Sequence, residues 1–77
     1  MFNEHDRVVL TNDVPGERLK AGDVGTIVHV HRGGVAFEVE FFTLDGDTAA
    51  IATVPASGLR TVTHRDITHA RQLELPV

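Results

Sequence analysis

Seventy-seven residues make one domain, near the lower size at which a chain folds without covalent staples. There is no cysteine, which excludes disulfides and thiolate metal sites, while a 42% hydrophobic share is ample for an aliphatic core. The formal net charge of −4 sets the chain against phosphate, the main source of non-specific nucleic-acid affinity.

The start, Met1 to Asp6, has neither a basic n-region nor an apolar h-region, and no apolar run is long enough to cross a bilayer. A soluble, cytoplasmic protein is expected, with no membrane partner. The basic residues are spread from Arg7 to Arg71. Arg60, Arg65 and Arg71 are the ones that could form a local basic face.

Val8-Val9-Leu10 ends a first strand, His5 to Leu10. Thr11 to Lys20 is a long irregular loop with a tight turn at Pro15-Gly16 and an apolar anchor at Leu19. Gly22-Asp23 signals a turn, and the run to His31 forms the second strand. Gly25 within it marks a bulge or a close approach of backbone. Arg32-Gly33-Gly34 reverses the chain.

Val35 to Phe42 is the clearest strand. Val35, Phe37, Val39 and Phe41 alternate with Ala36, Glu38 and Glu40. Phe42 breaks the alternation. It either packs beneath the tail or a loop, or stands as an exposed aromatic at an interface. Asp45-Gly46 centres the next hairpin, Ala49 to Val54 is a fourth strand, Pro55 to Gly58 a single helical or 3₁₀ turn, and Leu59 to Val62 a fifth strand.

Five short strands, tight turns and one long first loop predict an all-β fold, a small five-stranded SH3-like barrel over 1–62. The expected core is Val8, Leu10, Val24, Val28, Val30, Val35, Phe37, Val39, Phe41, Val54 and Leu59. A bulge at Gly25 would exchange faces, so the sides of Ile27 and Ile51 stay open.

Residues 63–77 form a tail of different character. Thr63-x-x-Asp66 is compatible with helix capping, and Ile67, Ala70 and Leu73 lie at helical spacing. The tail is expected either as one to three helical turns docked on the barrel, or as a segment ordered only with a partner.

Gly22-Asp23-Val24-Gly25-Thr26-Ile27-Val28 resembles the glycine-containing strand of KOW-type and nitrile-hydratase-like barrels. Val54-Pro55-Ala56-Ser57-Gly58-Leu59 resembles the short helical turn before the last strand of SH3 domains. A fuller resemblance covers nearly the whole chain. Asp6-Arg7-Val8-Val9-Leu10, Leu19 to Val28, Phe37-Glu38-Val39-Glu40-Phe41 and Thr43-Leu44-Asp45-Gly46 occur in that order. They resemble a family of short bacterial proteins termed domain of unknown function four-nine-two-six, whose members often carry tyrosine at the position of Phe37. The resemblance implies no biochemical activity, and suggests partner-binding or antitoxin-like roles.

Five histidines raise the question of a metal. His29-x-His31 puts two imidazoles on one strand face, with a third ligand conceivable from His5, His64, His69, Glu38 or Glu40. The plain alternative, two solvated polar residues opposite the core, is preferred, and no metal or cofactor is assigned. Glu38 and Glu40 share a convex face, whereas catalytic carboxylates flank a cleft. Turn chemistry accounts for Asp23, Asp45 and Asp47. Ser57 is outside any nucleophile elbow and reads as a cap for its turn. Arg32-Gly33-Gly34 lacks the rest of a phosphate loop. No catalytic residue is assigned.

Peptide-binding SH3 grooves use tyrosine and tryptophan, and this chain has neither. The expectation is a non-catalytic module that binds another protein, antitoxin-like or an accessory subunit of a neighbouring gene product. Partner-binding residues are placed at Phe42, Ile67, Leu73 and Leu75. The alternatives are a homo-oligomeric structural protein and a KOW-like RNA- or ribosome-associated module, the last disfavoured by charge.

Overall fold

The computed structural model describes residues 2–73. The strands are β1 (Arg7–Leu10), β2 (Val24–His31), β3 (Ala36–Phe42), β4 (Thr48–Pro55) and β5 (Leu59–Thr61), with 3₁₀ turns at Pro15–Glu17 and Ala56–Gly58. All pairings are antiparallel, in the order β4-β3-β2-β1-β5. The fold is all-β.

The sheet is curled. Val54 of β4 and Leu59 of β5, from its two opposite edges, enter one core cluster with Val8, Leu10, Leu19, Ile27, Phe37, Val39, Phe41 and Ala52. Phe37, Leu10, Ile27, Val8 and Val39 are the largest fully buried side chains. Burying each stabilises the fold by about 1.5–3 kcal/mol. Phe2 closes one side, its ring edge-on to Phe37 at 5.4 Å.

The first loop is tied down at both ends. Val14 and Leu19 form an isolated bridge across the Pro15–Glu17 turn, and Leu19 is buried as the expected anchor. Leu10 N–H donates to Asp23 O at 2.9 Å and Gly22 N–H to Leu10 O at 2.8 Å, which brings the start of β2 against the end of β1.

Gly25 is required by a close approach. A Cβ there would lie 2.6 Å from Val39 Cγ1 and 2.9 Å from Glu40 O, on the strand directly opposite. The bulge itself falls three residues later. Ile27 pairs with Val39 and His29 with Glu38, so Val28 is the unpaired extra residue. The bulge exchanges the faces of β2: Ile27 points in, Val28 is 39% exposed, and Val30 packs against the core from beyond it.

The expected core needs three corrections. Val28 lies on the bulge rather than inside. Val35 precedes β3, in the turn, and is 66% exposed. Val24 is half-buried on the outer face, opposite Val9. Ile51, left open, is exposed, whereas Val9 and Ala52 are buried although neither was in the expected core. A second register shift, between Phe41 and Phe42, leaves Ala49 without a partner.

The tail forms no helix among the described residues. Thr63 and Asp66 do bond reciprocally. Asp66 N–H donates to Thr63 O at 3.1 Å and Thr63 N–H to Asp66 Oδ2 at 2.7 Å, but this closes a single turn. Ile67 and Ala70 are exposed rather than buried on a helical stripe. Ser57 makes no cap either. The 3₁₀ turn that contains it starts from Pro55 without a side-chain bond, and Ser57 offers only its carbonyl, to the Thr11 hydroxyl at 3.3 Å.

Candidate functional site

The outer face of the sheet divides into two regions of different chemistry. Along β3 it is polar. Glu38 accepts from the Thr53 hydroxyl at 2.7 Å and is bonded to His31 Nε2 at 2.8 Å, while Glu40 accepts from the Thr48 hydroxyl at 2.6 Å. The Thr53 bond, then the His31 bond, holds the Glu38 carboxyl below its usual range. The two carboxylates are thus occupied by side chains of the neighbouring strands β2 and β4.

His29 and His31 pack edge to face at 4.6 Å between centroids. Among the described residues no group of three or more metal-ligating side chains is arranged to hold an ion. His31 shares a direct hydrogen bond with Glu38, one of the five conceivable third ligands.

The second region lies over β5, β1 and β2, where the tail returns as an extended strap. Its first fastening is Asp66, which receives Arg60 Nη2 at 2.8 Å and Nη1 at 3.1 Å. That guanidinium, with the Thr63 backbone, keeps the Asp66 carboxyl far below the ordinary carboxylate range. The second fastening is Asp23, only 8% exposed. Arg71 grips it with both prongs, Nε to Oδ1 at 2.8 Å and Nη2 to Oδ2 at 2.6 Å, and its Nη2 also donates to Arg18 O at 3.1 Å. His69 Nε2 lies 3.2 Å from Oδ1, and Lys20 N–H donates to Oδ2 at 2.9 Å.

Burial pushes the Asp23 carboxyl up. The bonds from Arg71, from the Lys20 backbone and from His69 outweigh it and leave the group below its ordinary value. Gly22, at φ 96°, leaves room for the His69 ring, which would stand 3.2 Å from a Cβ at that position. His69 and Arg71 reach one carboxylate from positions two apart. That is the spacing at which side chains of an extended chain share a face.

Asp23 therefore does more than its turn requires. Its Lys20 bond is the turn chemistry legible in Gly22-Asp23. Its bonds to the strap span 46 and 48 residues and leave no local signal. Two arginines of the envisaged basic face, Arg60 and Arg71, are engaged in ion pairs with carboxylates.

Between strap and sheet runs a groove of about 1100 Å³. Val9 and Val24, paired across β1 and β2, form part of its wall. Phe42, Leu44, Ile67 and Leu73 line it, although they come from the end of β3, the following turn and the strap. They are 48%, 92%, 91% and 37% exposed. Three of the four residues assigned to partner binding thus lie around one groove, while Leu75 is outside the described residues. Leu44 escaped the sequence reading because it stands beside an Asp-Gly turn. The only clue was its size at a position where turns are usually polar.

A family model described as Domain of unknown function (DUF4926) matches residues 4–61 of the 77. The chain belongs to the DUF4926 family. The DUF4926 match ends at the last residue of β5, so the strap lies beyond it. Asp23, the strap's buried anchor, lies within it. No curated protein and no solved structure matches the chain. No helix among the described residues is long and apolar enough to cross a membrane.

Proposed function

We propose that this protein is a non-catalytic binding module that receives an apolar segment of another protein in the groove between strap and sheet. The observation that carries this reading is the convergence of Phe42, Leu44, Ile67 and Leu73 on one groove. Large apolar side chains scattered singly over a surface are ordinary. Four of them around a single concavity form an interaction patch. Arg7, also in the lining, adds a cation at the rim. An antitoxin or an accessory subunit working on the product of a neighbouring gene fits such a module.

Interfaces draw most of their energy from a few anchors. In calorimetric titration against the co-expressed neighbouring gene product, Phe42→Glu or Leu73→Glu should weaken binding by roughly tenfold or more. The double variant His29→Ala/His31→Ala should leave it nearly unchanged. Loss of binding in the histidine variant, with the apolar variants unaffected, would overturn the reading.

A further inference from the structure

Resting on the reading of the groove as a protein-binding site, we propose that the apolar segment it receives carries an aspartate or glutamate side chain, which Arg7 holds. Charge in the groove is otherwise accounted for. Its lining holds the cations Arg7, Arg60 and Arg71 and the carboxylates Asp23 and Asp66. Arg60 pairs with Asp66, and Arg71 with Asp23. Arg7 is left over: among the described residues its guanidinium has no hydrogen bond and no ion pair. A chain of net charge −4 thus keeps one uncancelled positive charge in the groove where Phe42 and Leu44 stand exposed. The two ends of β1 differ accordingly. Leu10, its last residue, bonds to Asp23, whose counter-charge comes from the strap. Arg7, its first, has no counter-charge among the described residues.

The surroundings of Arg7 add to the case. Arg7 lies directly across from Thr26, as Val9 lies across from Val24, so the two pairs follow each other along one face. A recess of about 370 Å³ opens there, and Arg7, Thr26, Phe42, Thr43 and Leu44 are in its lining. The Thr43 hydroxyl is engaged by Asp45 and by the Asp47 carbonyl. The Thr26 hydroxyl has no partner among the described residues. Glu40, which pairs with Thr26 from β3, is bonded to the Thr48 hydroxyl and lines neither groove nor recess. The free donors are therefore a guanidinium fork and one hydroxyl, with the Phe42 ring and the Leu44 side chain beside them.

That combination suits a carboxylate flanked by apolar side chains. A guanidinium fork matches the two oxygens of a carboxylate, and a hydroxyl donates to a lone pair left over. Nucleic acid fits poorly, because its affinity comes from many phosphate contacts and the recess offers one cation. A chain end is captured by a nest of backbone N–H groups, whereas the donors here are side chains. The carboxylate is therefore that of a residue within the segment. Apolar contacts supply area, and the charge pair decides which segment is accepted and in which orientation.

The test is an NMR titration of the isotope-labelled full chain with two acetylated, amidated peptides. They share their leucines and differ only in a central glutamate or glutamine. The glutamate peptide should bind roughly three- to tenfold more tightly, as fits a partly exposed charge-assisted pair. The amide signals of Thr26 and Phe42 should move with it. Arg7→Gln should erase the difference between the peptides and Arg7→Lys should keep part of it, with circular dichroism showing both variants folded. Equal affinity for the two peptides, with Phe42 and Leu44 still responding, overturns the carboxylate and leaves the groove reading standing. A glutamate preference that survives Arg7→Gln overturns it as well. So does tighter binding of the glutamine peptide with a free C-terminus, which would make the site a receptor for chain ends. Binding of neither peptide overturns it together with the groove reading.

Discussion

The inside of the curled sheet and the strap on its outside are held by opposite chemistries. The core is aliphatic and aromatic, with Phe37, Ile27, Leu10, Val8 and Val39 fully buried. Removing one of them leaves a cavity that close packing fills only in part. The strap is fastened by carboxylate–guanidinium pairs at Asp66 and Asp23, with little apolar burial of its own, since Ile67 and Ala70 stay exposed. When a charge pair opens, both groups regain water, so breaking it costs far less than emptying a core site. The sheet should therefore behave as the stable unit and the strap as a separately released one.

The largest effect is expected in the core. Phe37→Ala should cost roughly 3–5 kcal/mol, a large part of the stability of so small a domain. A thermal melt with an unchanged midpoint would break the core side of the comparison. Next comes deletion of 63–77, which removes both ion-pair fastenings and opens one wall of the groove. Retained β-type circular dichroism is expected, with a loss of about 2–3 kcal/mol, the sum of the lost charge-assisted bonds and a little apolar surface. Loss of cooperative unfolding would mean that strap and core are one unit.

Arg71→Ala is the sharper cut, because it removes the grip on Asp23 and leaves the strap's chain intact. A loss of about 1–2 kcal/mol is expected, since Asp23 is rehydrated as the strap lifts. Chemical-denaturation midpoints read it, and hydrogen exchange should quicken at 66–73 while β2 and β3 stay protected. A core that loosens equally would show the two regions coupled.

The smallest effect is that of acid. The Asp23 carboxyl is held below its ordinary 3.8, so its contribution is complete above that value and disappears as pH falls through its lower folded-state value. Asp66 follows the same sign. The strap should stay fastened down to about pH 4 and let go below it, ahead of the core. Amide signals of His69 and Arg71, followed from pH 6 to 2, check this order. Salt should weaken the exposed Arg60–Asp66 pair more than Asp23–Arg71, which is better shielded from water.

Much of this protein was determined by its sequence alone. Alternation in β3 placed Phe37, Val39 and Phe41 inside, because a period of two leaves a strand no other way to bury them. Turn chemistry at Pro15-Gly16, Arg32-Gly33-Gly34 and Asp45-Gly46, and the 3₁₀ turn before β5, set five strands and their order. Leu19 was legible as an anchor, since a long irregular loop needs an apolar side chain to pin it to the core, and it is buried.

What depends on contact across the fold was decided only by tertiary structure. The bulge fell at Val28, while Gly25 marks the close approach to β3, where a side chain would strike Val39. One unpaired residue then turned Val28 outward. The helical spacing of Ile67, Ala70 and Leu73 forms no helix among the described residues, where His69 and Arg71 instead both bond to Asp23. Phe42, Ile67 and Leu73 were legible one by one as exposed apolar residues. Their meeting around one groove was not, because an ion pair between residues 48 apart brings the strap there, and no local pattern records it.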